Sequence, residues 1–359
     1  MHVVILHTDF NDPGGVGNYY SKIRGKFSCR VTHFVVGSRP DERGIFQKLK
    51  RFFSDYFNFY RLLKSKDAPE IVMVNPSLGF KALGRDSVFL LMSKFFGKKC
   101  VVFIRGWHES FEKKITEYGQ GIFRAIYGRA DHFIVLSKNF VPILKKWGIE
   151  KPVAVERTIV DDNVVKELNI DSILNQRFNT ATKKILFISR ILREKGIYET
   201  IDSVALTIKE HPKLELLIAG TGPEYKNVRR YVAQNRFKFV KLLGYVRGVE
   251  KVKLLKESYI LCHPTYGEGM PNTVIECLAF GLPVVTCPVG GIPDFFQNSK
   301  NGFLVEDRDP ERLSRFILKL LKDKKLYKSI ATYNFEAGKN FYASKAAKRL
   351  EQVFYSLIE

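Results

Sequence analysis

The strongest constraint on this chain is a repeated alternation: short runs rich in Val, Ile, Leu and Phe, each followed by a stretch with apolar residues at helical spacing. Runs that are apolar throughout read as strands buried on both faces, and strands joined through helices pair in parallel. Five such runs occupy the first half: HVVILH (2–7), VTHFVV (31–36), EIVMVN (70–75), CVVFIR (100–105) and HFIVLS (132–137). Five more occupy the second: KILFIS (184–189), LELLIAG (214–220), FVKLLG (239–244), YILCHP (259–264) and PVVTC (283–287). Two α/β domains of similar size are therefore expected, and 359 residues suit two ordinary cores. Residues 152–184 lose the alternation and turn polar, which puts the crossing near 157–183. The last stretch, SKAAKRLEQVFYSLIE (344–359), spaces Ala346, Leu350, Val353, Phe354 and Leu357 as a closing helix.

Composition narrows the partners. The chain carries 59 Lys+Arg against 37 Asp+Glu, a net charge of +22 that favours anions such as phosphates, acidic lipid or nucleic acid. The excess is even: 28 against 17 in residues 1–170 and 31 against 20 in 171–359, which is +11 in each. No single basic element stands out, so a nucleic-acid-binding protein, the reading from charge alone, lacks a stripe or motif to support it. The start, MHVVILHTDF, has too short an apolar run for a signal peptide, and no stretch is long enough for a membrane helix, so a cytoplasmic location is expected. Five cysteines without C-x-x-C spacing indicate neither a disulfide framework nor a zinc site.

One segment departs from the sheet-covering pattern. In GIFQKLKRFFSDYFNFYRLLKSK (44–66), Ile45, Leu49, Phe52, Phe53, Tyr56, Phe59, Tyr60 and Leu63 form one helical stripe, flanked by Lys48, Lys50, Arg51, Arg61, Lys64 and Lys66. Such a helix either covers the sheet with a solvated basic face or lies on an anionic bilayer. KFFGKK (94–99) adds to the second reading.

The chemistry-bearing residues cluster after strand ends. DPGGVGNYYSK (12–22) follows the first strand, and its glycines let backbone approach a phosphate or sugar, although the dinucleotide fingerprint is not matched. ISRILREKGIYETIDSV (188–204) places Arg190 and Lys195 past a strand end, a fork and a point charge suited to a diphosphate. AGTGPEY (219–225) makes a turn with Gly220 at the same edge. In HPTYGEGMPNTVIECLAFGLPVV (263–285), Glu268 precedes a helix expected from about 271 to 280, and Glu276 sits inside it. The amides of residues 269–273 are left for an anion. Each carboxylate suits a sugar diol, and each equally suits ordinary helix-dipole chemistry.

Taken in order, GGVGN, FISRILREKG, LLIAGTGPE, LLGYV and HPTYGEGMPNTVIECLAFGLPVVTCPVGGIPD closely resemble the retaining glycosyltransferases of family 4, the group-1 transferases. The match runs almost continuously from Ile185 to about Leu320, with Glu268 and Glu276 as its E-x7-E element; in the first half it is limited to the GGV turn, ADHFIVLSK (130–138) and the closing helix.

The resemblance implies an α/β GT-B fold, two Rossmann-like domains with parallel sheets facing a central cleft and a C-terminal helix crossing back to the N-terminal domain. Residues 1–160 with 342–359 would form the acceptor domain and 161–341 the nucleotide-sugar domain. It implies Arg190 and Lys195 on the diphosphate, Glu276 on the ribose, and Glu268 with Gly269, Met270, Pro271, Asn272 and Thr273 as the cradle for donor sugar and phosphate. Gly220 lies at the donor edge, the backbone of Val246 reads the base, and Gly14 and Gly15 close over the diphosphate. The sequence departs from the family in VVFIRGWHES, with Arg105 where many relatives have His and His108 where they have Asp or a similar residue. Arg105 is thus expected on the donor phosphate or an acidic acceptor, and His108 on the transferred sugar.

The implied activity is hexosyl transfer (EC 2.4) with retention and no enzyme nucleophile, from a nucleotide diphosphate sugar, by preference UDP-linked, to a glycan or lipid-linked glycan in surface polysaccharide biosynthesis. No cofactor and no metal are expected, although substrate phosphates can bring Mg²⁺. The D-x-D of EDRDP (306–310) is expected to be an acidic turn before a helix. The expected partners are the donor, the acceptor and an anionic membrane surface on the inner face, with no nucleic acid. The competing reading within the fold is another nucleotide-sugar enzyme of epimerase type.

Overall fold

The structure is a computed structural model and describes residues 1–10, 15–37, 39, 42 and 44–359. The chain divides into two units, Met1–Thr158 with Ala343–Glu359, and Ile159–Tyr342.

In the first unit the strands are β1 (His2–His7), β2 (Arg30–Val35), β3 (Ile71–Val74), β4 (Lys99–Phe103), β5 (His132–Val135) and β6 (Val153–Val155), all parallel, in the order β2-β1-β3-β4-β5-β6. In the second they are β7 (Lys183–Ile188), β8 (Leu214–Ala219), β9 (Val240–Gly244), β10 (Ile260–His263), β11 (Val284–Thr286) and β12 (Gly302–Leu304), again parallel, in the order β12-β11-β10-β7-β8-β9. All ten expected strands form, with ends within two residues of the apolar runs. The edge strands β6 and β12 were not foreseen: they are as short as β11 but only partly buried, so no fully apolar run marks them.

Both orders reverse direction once. β1 lies between β2 and β3, and β7 lies between β8 and β10. The loops leaving β1 and β3, and those leaving β7 and β10, therefore diverge at the carboxyl edge, the place where open α/β sheets leave a crevice for ligands.

Helix Ile45–Lys64 divides its apolar residues between two faces. Phe59 and Leu63 are buried, and Tyr56 and Phe59 pack on Phe89. Phe46, Leu49, Phe53, Phe57 and Tyr60, at helical spacing, face solvent, with Phe46 88% exposed. The single stripe read from sequence is thus two. A cationic network turns Arg51 inward, where it pairs with Glu42 and approaches Asp55 at 3.7 Å. The closing helix Ala343–Tyr355 belongs to the first unit. Its Glu351 accepts from the amide of Ser28, the Ser28 hydroxyl (2.8 Å) and the amide of Cys29 (3.1 Å).

Candidate functional site

In the second unit, the loops after β7 and β10 meet at the reversal point. Lys195 ends the short turn Arg193–Lys195, and Gly196 follows at φ 74°, where a side chain would sit 2.2 Å from the Pro264 carbonyl oxygen. Only glycine permits this approach. The Tyr266 amide then donates to the Glu194 carbonyl at 2.9 Å, fastening one loop to the other. Held so, Lys195 Nζ donates to Glu268 Oε1 at 2.7 Å and to the Gly267 carbonyl at 3.0 Å, and His263 Nε2 lies 3.1 Å from the same carboxylate oxygen. Burial raises the Glu268 pKa, but the His263 and Lys195 contacts outweigh it and hold the carboxyl below its usual 4.5.

The loop after β11 locks Glu268 from the other side. Gly290, at φ 57°, leaves no room for a Cβ, which would fall 1.5 Å from the Glu268 carbonyl oxygen. The Gly291 amide donates to the Gly269 carbonyl at 2.9 Å, and Met270 is buried with its thioether against Gly291. Helix Asn272–Ala279 begins at this point, with Pro271 as its N-cap rather than inside its first turn. Its first backbone bond from the cap runs from the Ile275 amide to the Pro271 carbonyl at 3.3 Å, and among the described residues the amides of Gly269, Met270, Asn272 and Thr273 have no acceptor. That is an anion-receptive terminus. The Thr273 hydroxyl is used structurally, donating to the Ile188 carbonyl at 3.1 Å, which ties the helix start to the end of β7.

Glu276 is one turn deeper, paired with Lys251 at 2.5 Å; one face of its carboxylate thus already has a cation. Arg190, directly past β7, is exposed and makes no hydrogen bond or ion pair among the described residues. Val246 lies in the connection after β9, and its backbone N–H and C=O are unbonded among the described residues. Gly220 is different: its amide donates to the Gly244 carbonyl at 2.6 Å, and a Cβ would meet the Ser189 carbonyl oxygen at 1.9 Å. Its role in this structure is close packing of loops, with no free amide to offer. Asp309 caps helix Pro310–Lys322, and Asp307 pairs with Arg312 at 2.6 Å, so both acids of the D-x-D serve the helix start.

Gly14 lies outside the described residues. Gly15 opens helix Gly15–Ile23 with open space where a side chain would project. His108 is exposed, and its carbonyl starts helix Glu109–Lys114 by accepting from Phe111 and Glu112 at 3.0 and 2.9 Å. Arg105 is buried past the end of β4. Sequence reasoning gave no role to Lys251, His263, Gly290 or Gly291. The Gly-Gly pair after β11 was the one visible signal, whereas Lys251 reaches Glu276 only through tertiary structure.

Two parallel sheets of this kind, with the polar groups gathered at their carboxyl edges, define a GT-B fold. Solved structures share it: Anabaena Alr3699/HepE in complex with UDP and glucose (TM-score 0.73, 16% identity, 99% of this chain and 100% of that one) and sucrose-phosphate synthase from Thermosynechococcus elongatus (0.71, 15%, 100% and 99%). Residues 171–337, somewhat less than half of the chain, match the family described as glycosyl transferases group 1. Relatives include an uncharacterized glycosyltransferase of Methanocaldococcus jannaschii, MJ1069, 23% identical over 69% of this chain and 64% of the relative. The capsular polysaccharide biosynthesis glycosyltransferase CapM of Staphylococcus aureus is 25% identical over 66% of this chain and 61% of its own length. The matched stretch is thus under two thirds of the length of either relative.

Proposed function

We propose that the protein transfers a hexosyl group, with retention, from a nucleotide diphosphate sugar to a glycan or lipid-linked glycan acceptor. The observation that carries this reading is the Lys195–Glu268 pair beside four unbonded amides at the reversal point of the second sheet. A diphosphate leaving group gains charge as the glycosidic bond breaks. Lys195, Arg190 and the amides of Gly269, Met270, Asn272 and Thr273 are the groups that would stabilise it, the electrostatic contribution that commonly dominates. Glu268, kept ionised by Lys195 and His263, is suited to accept sugar hydroxyls rather than to move a proton, and Glu276 to accept those of a ribose. Base contacts fall to the free backbone of Val246. Relatives solved with UDP favour a UDP-linked donor. The reading is tested by a donor screen that follows nucleotide diphosphate release in wild type, Lys195→Ala and Glu276→Ala; equal turnover in all three sinks it.

A membrane-linked acceptor is favoured by the outer stripe of helix Ile45–Lys64. Phe46, Leu49, Phe53 and Phe57 are exposed beside Lys48, Lys50, Arg61 and Lys64, a combination suited to an anionic bilayer surface. Among the described residues no helix is long and apolar enough to cross a membrane. Sedimentation with anionic vesicles at low salt should carry wild type down and leave Phe46→Ser/Phe53→Ser in the supernatant. Wild type that stays in solution removes the membrane from the proposal.

A further inference from the structure

We propose that Arg308, the middle residue of the D-x-D turn, is a positioning residue for Glu268: it clasps the loop that carries this carboxylate and fixes it at the reversal point of the second sheet. The turn follows β12, and its acids serve the helix after it, Asp309 as the cap of Pro310–Lys322 and Asp307 as the partner of Arg312. Those roles leave Arg308 unexplained. Its backbone sits at φ 57°, in the left-handed region that glycine enters freely and that a residue with a Cβ occupies only where its surroundings impose it. A glycine would relieve that strain, so the reason for an arginine lies in its side chain. The side chain crosses to the loop after β10. Its Nε donates to the Thr265 carbonyl at 3.2 Å, its Cζ lies 4.4 Å from the centre of the Tyr266 ring, and its Nη1 donates to the Glu306 carbonyl of its own turn at 3.3 Å.

Thr265 and Tyr266 are held from two further sides. The Thr265 hydroxyl shares its hydrogen between the carbonyls of Glu194 at 3.2 Å and Gly267 at 3.1 Å, and the Tyr266 hydroxyl donates to Glu199 Oε1 at 2.5 Å. Glu199 lies in helix Ile197–Glu210, whose Thr207 meets Ser314 of helix Pro310–Lys322 at 2.9 Å, so both anchors of the loop rest on one packed pair of helices. Tyr266 itself is 49% exposed. Contacts made at so exposed a ring add little to stability. What they fix is the path of the chain just ahead of Glu268, which has Gly267 and Gly269 on either side, each with open space where a side chain would project. A carboxylate flanked by two glycines swings with its backbone unless neighbours hold that backbone. Lys195 and His263 hold its Oε1, and the loop after β11 holds the chain beyond it. Arg308 and Tyr266 hold the chain before it.

The use of the clasp rests on the proposed function, under which Glu268 receives hydroxyls of the donor sugar. Two readouts on the full-length protein keep the clasp and that function apart: hydrogen exchange without ligand, and initial rates of nucleotide diphosphate release over a panel of nucleotide sugars. Both are run on wild type, Arg308→Gly, Arg308→Lys and Tyr266→Leu. Arg308→Gly relieves the left-handed backbone while deleting the clasp, so its melting temperature should stay near that of wild type. The amides of residues 265–270 should nevertheless exchange roughly tenfold faster or more. The kcat/KM for the donor should fall roughly 10- to 100-fold, the scale of a misplacement passed on from outside the site, with affinity for the free nucleotide diphosphate little changed. Arg308→Lys, which keeps a cation over the ring, should recover part of the loss. Tyr266→Leu should act as Arg308→Gly does, and the double variant should be no worse than either alone, because both remove one contact. Faster exchange in a protein that releases nucleotide diphosphate from none of the sugars keeps the clasp and removes the glycosyltransferase reading. Wild-type exchange at 265–270 in Arg308→Gly, or faster exchange with wild-type kcat/KM, overturns the proposal. Equal losses of sugar and nucleotide affinity with a lowered melting temperature, the mark of a merely structural residue, overturn it too.

Discussion

Two buried arginines, one in each unit, have opposite surroundings. Arg177, in the second unit, donates to the carbonyls of Leu255, Lys256, Phe280 and Gly281 at 2.8–3.1 Å. Those carbonyls end helices Gly248–Glu257 and Asn272–Ala279, so one guanidinium satisfies two helix ends and meets the negative end of both dipoles. Arg105, in the first unit, lies against the Tyr19 ring and has no acceptor among the described residues. The first has its hydrogen bonds complete within the fold, and the second does not. The same difference runs through the two sheet edges: Lys195 and Glu276 have counter-charges in their own unit, while Arg105 has none among the described residues.

The comparison can be broken by exchange to methionine. Arg177→Met orphans four carbonyls and should cost about 3–5 kcal/mol in urea unfolding. Lys195→Ala should lower turnover roughly 10²–10³-fold, the effect of deleting one preorganised donor to a developing charge, with little loss of melting temperature. Gly290→Ala forces the loop away from the Glu268 carbonyl and should cost about 2–4 kcal/mol as well as displacing the carboxylate, so stability and nucleotide affinity should fall together. Arg105→Met, in contrast, should change ligand-free stability by no more than about 1 kcal/mol, since the buried charge it removes has ring contacts but no acid partner among the described residues. A large loss there would make Arg105 as structural as Arg177.

A further effect is one of pH. Burial, with His7 and Arg24 beside it, lowers the His33 imidazole to about 4 from an ordinary 6.5. The unfolded chain therefore binds the proton more readily. The contribution of His33 to stability is complete above about pH 6.5 and is lost as pH falls toward 4. His33→Asn should flatten the urea midpoint across that window.

Much of the fold was legible because its signal is local. Apolar runs such as HVVILH and KILFIS are the buried parallel strands, and Gly196 before an amphipathic run is a left-handed turn where only glycine fits. The strands Val153–Val155 and Gly302–Leu304 were not legible, being short, only partly buried edge strands defined by the neighbour they pair with. Helix Ile45–Lys64 was legible as a helix but not as two faces. Which aromatic ring packs on Phe89 and which meets solvent depends on the rotation of the helix against the sheet. At the candidate site the sequence marked Glu268, Glu276, Arg190 and Lys195 by their position after strand ends. It could not show that Lys195 holds Glu268, that Lys251 holds Glu276, or that Gly220 has no amide to offer.

What the sequence determined by itself is the set of things fixed within one turn or one strand: parallel α/β architecture, the placement of charge after strand ends, and the family signature. Tertiary structure decided which charges have counter-charges. A hydrogen bond forms or fails at a scale of tenths of an ångström, and residues such as Arg105 and Glu156 come within one sheet edge only after the β-strands have paired.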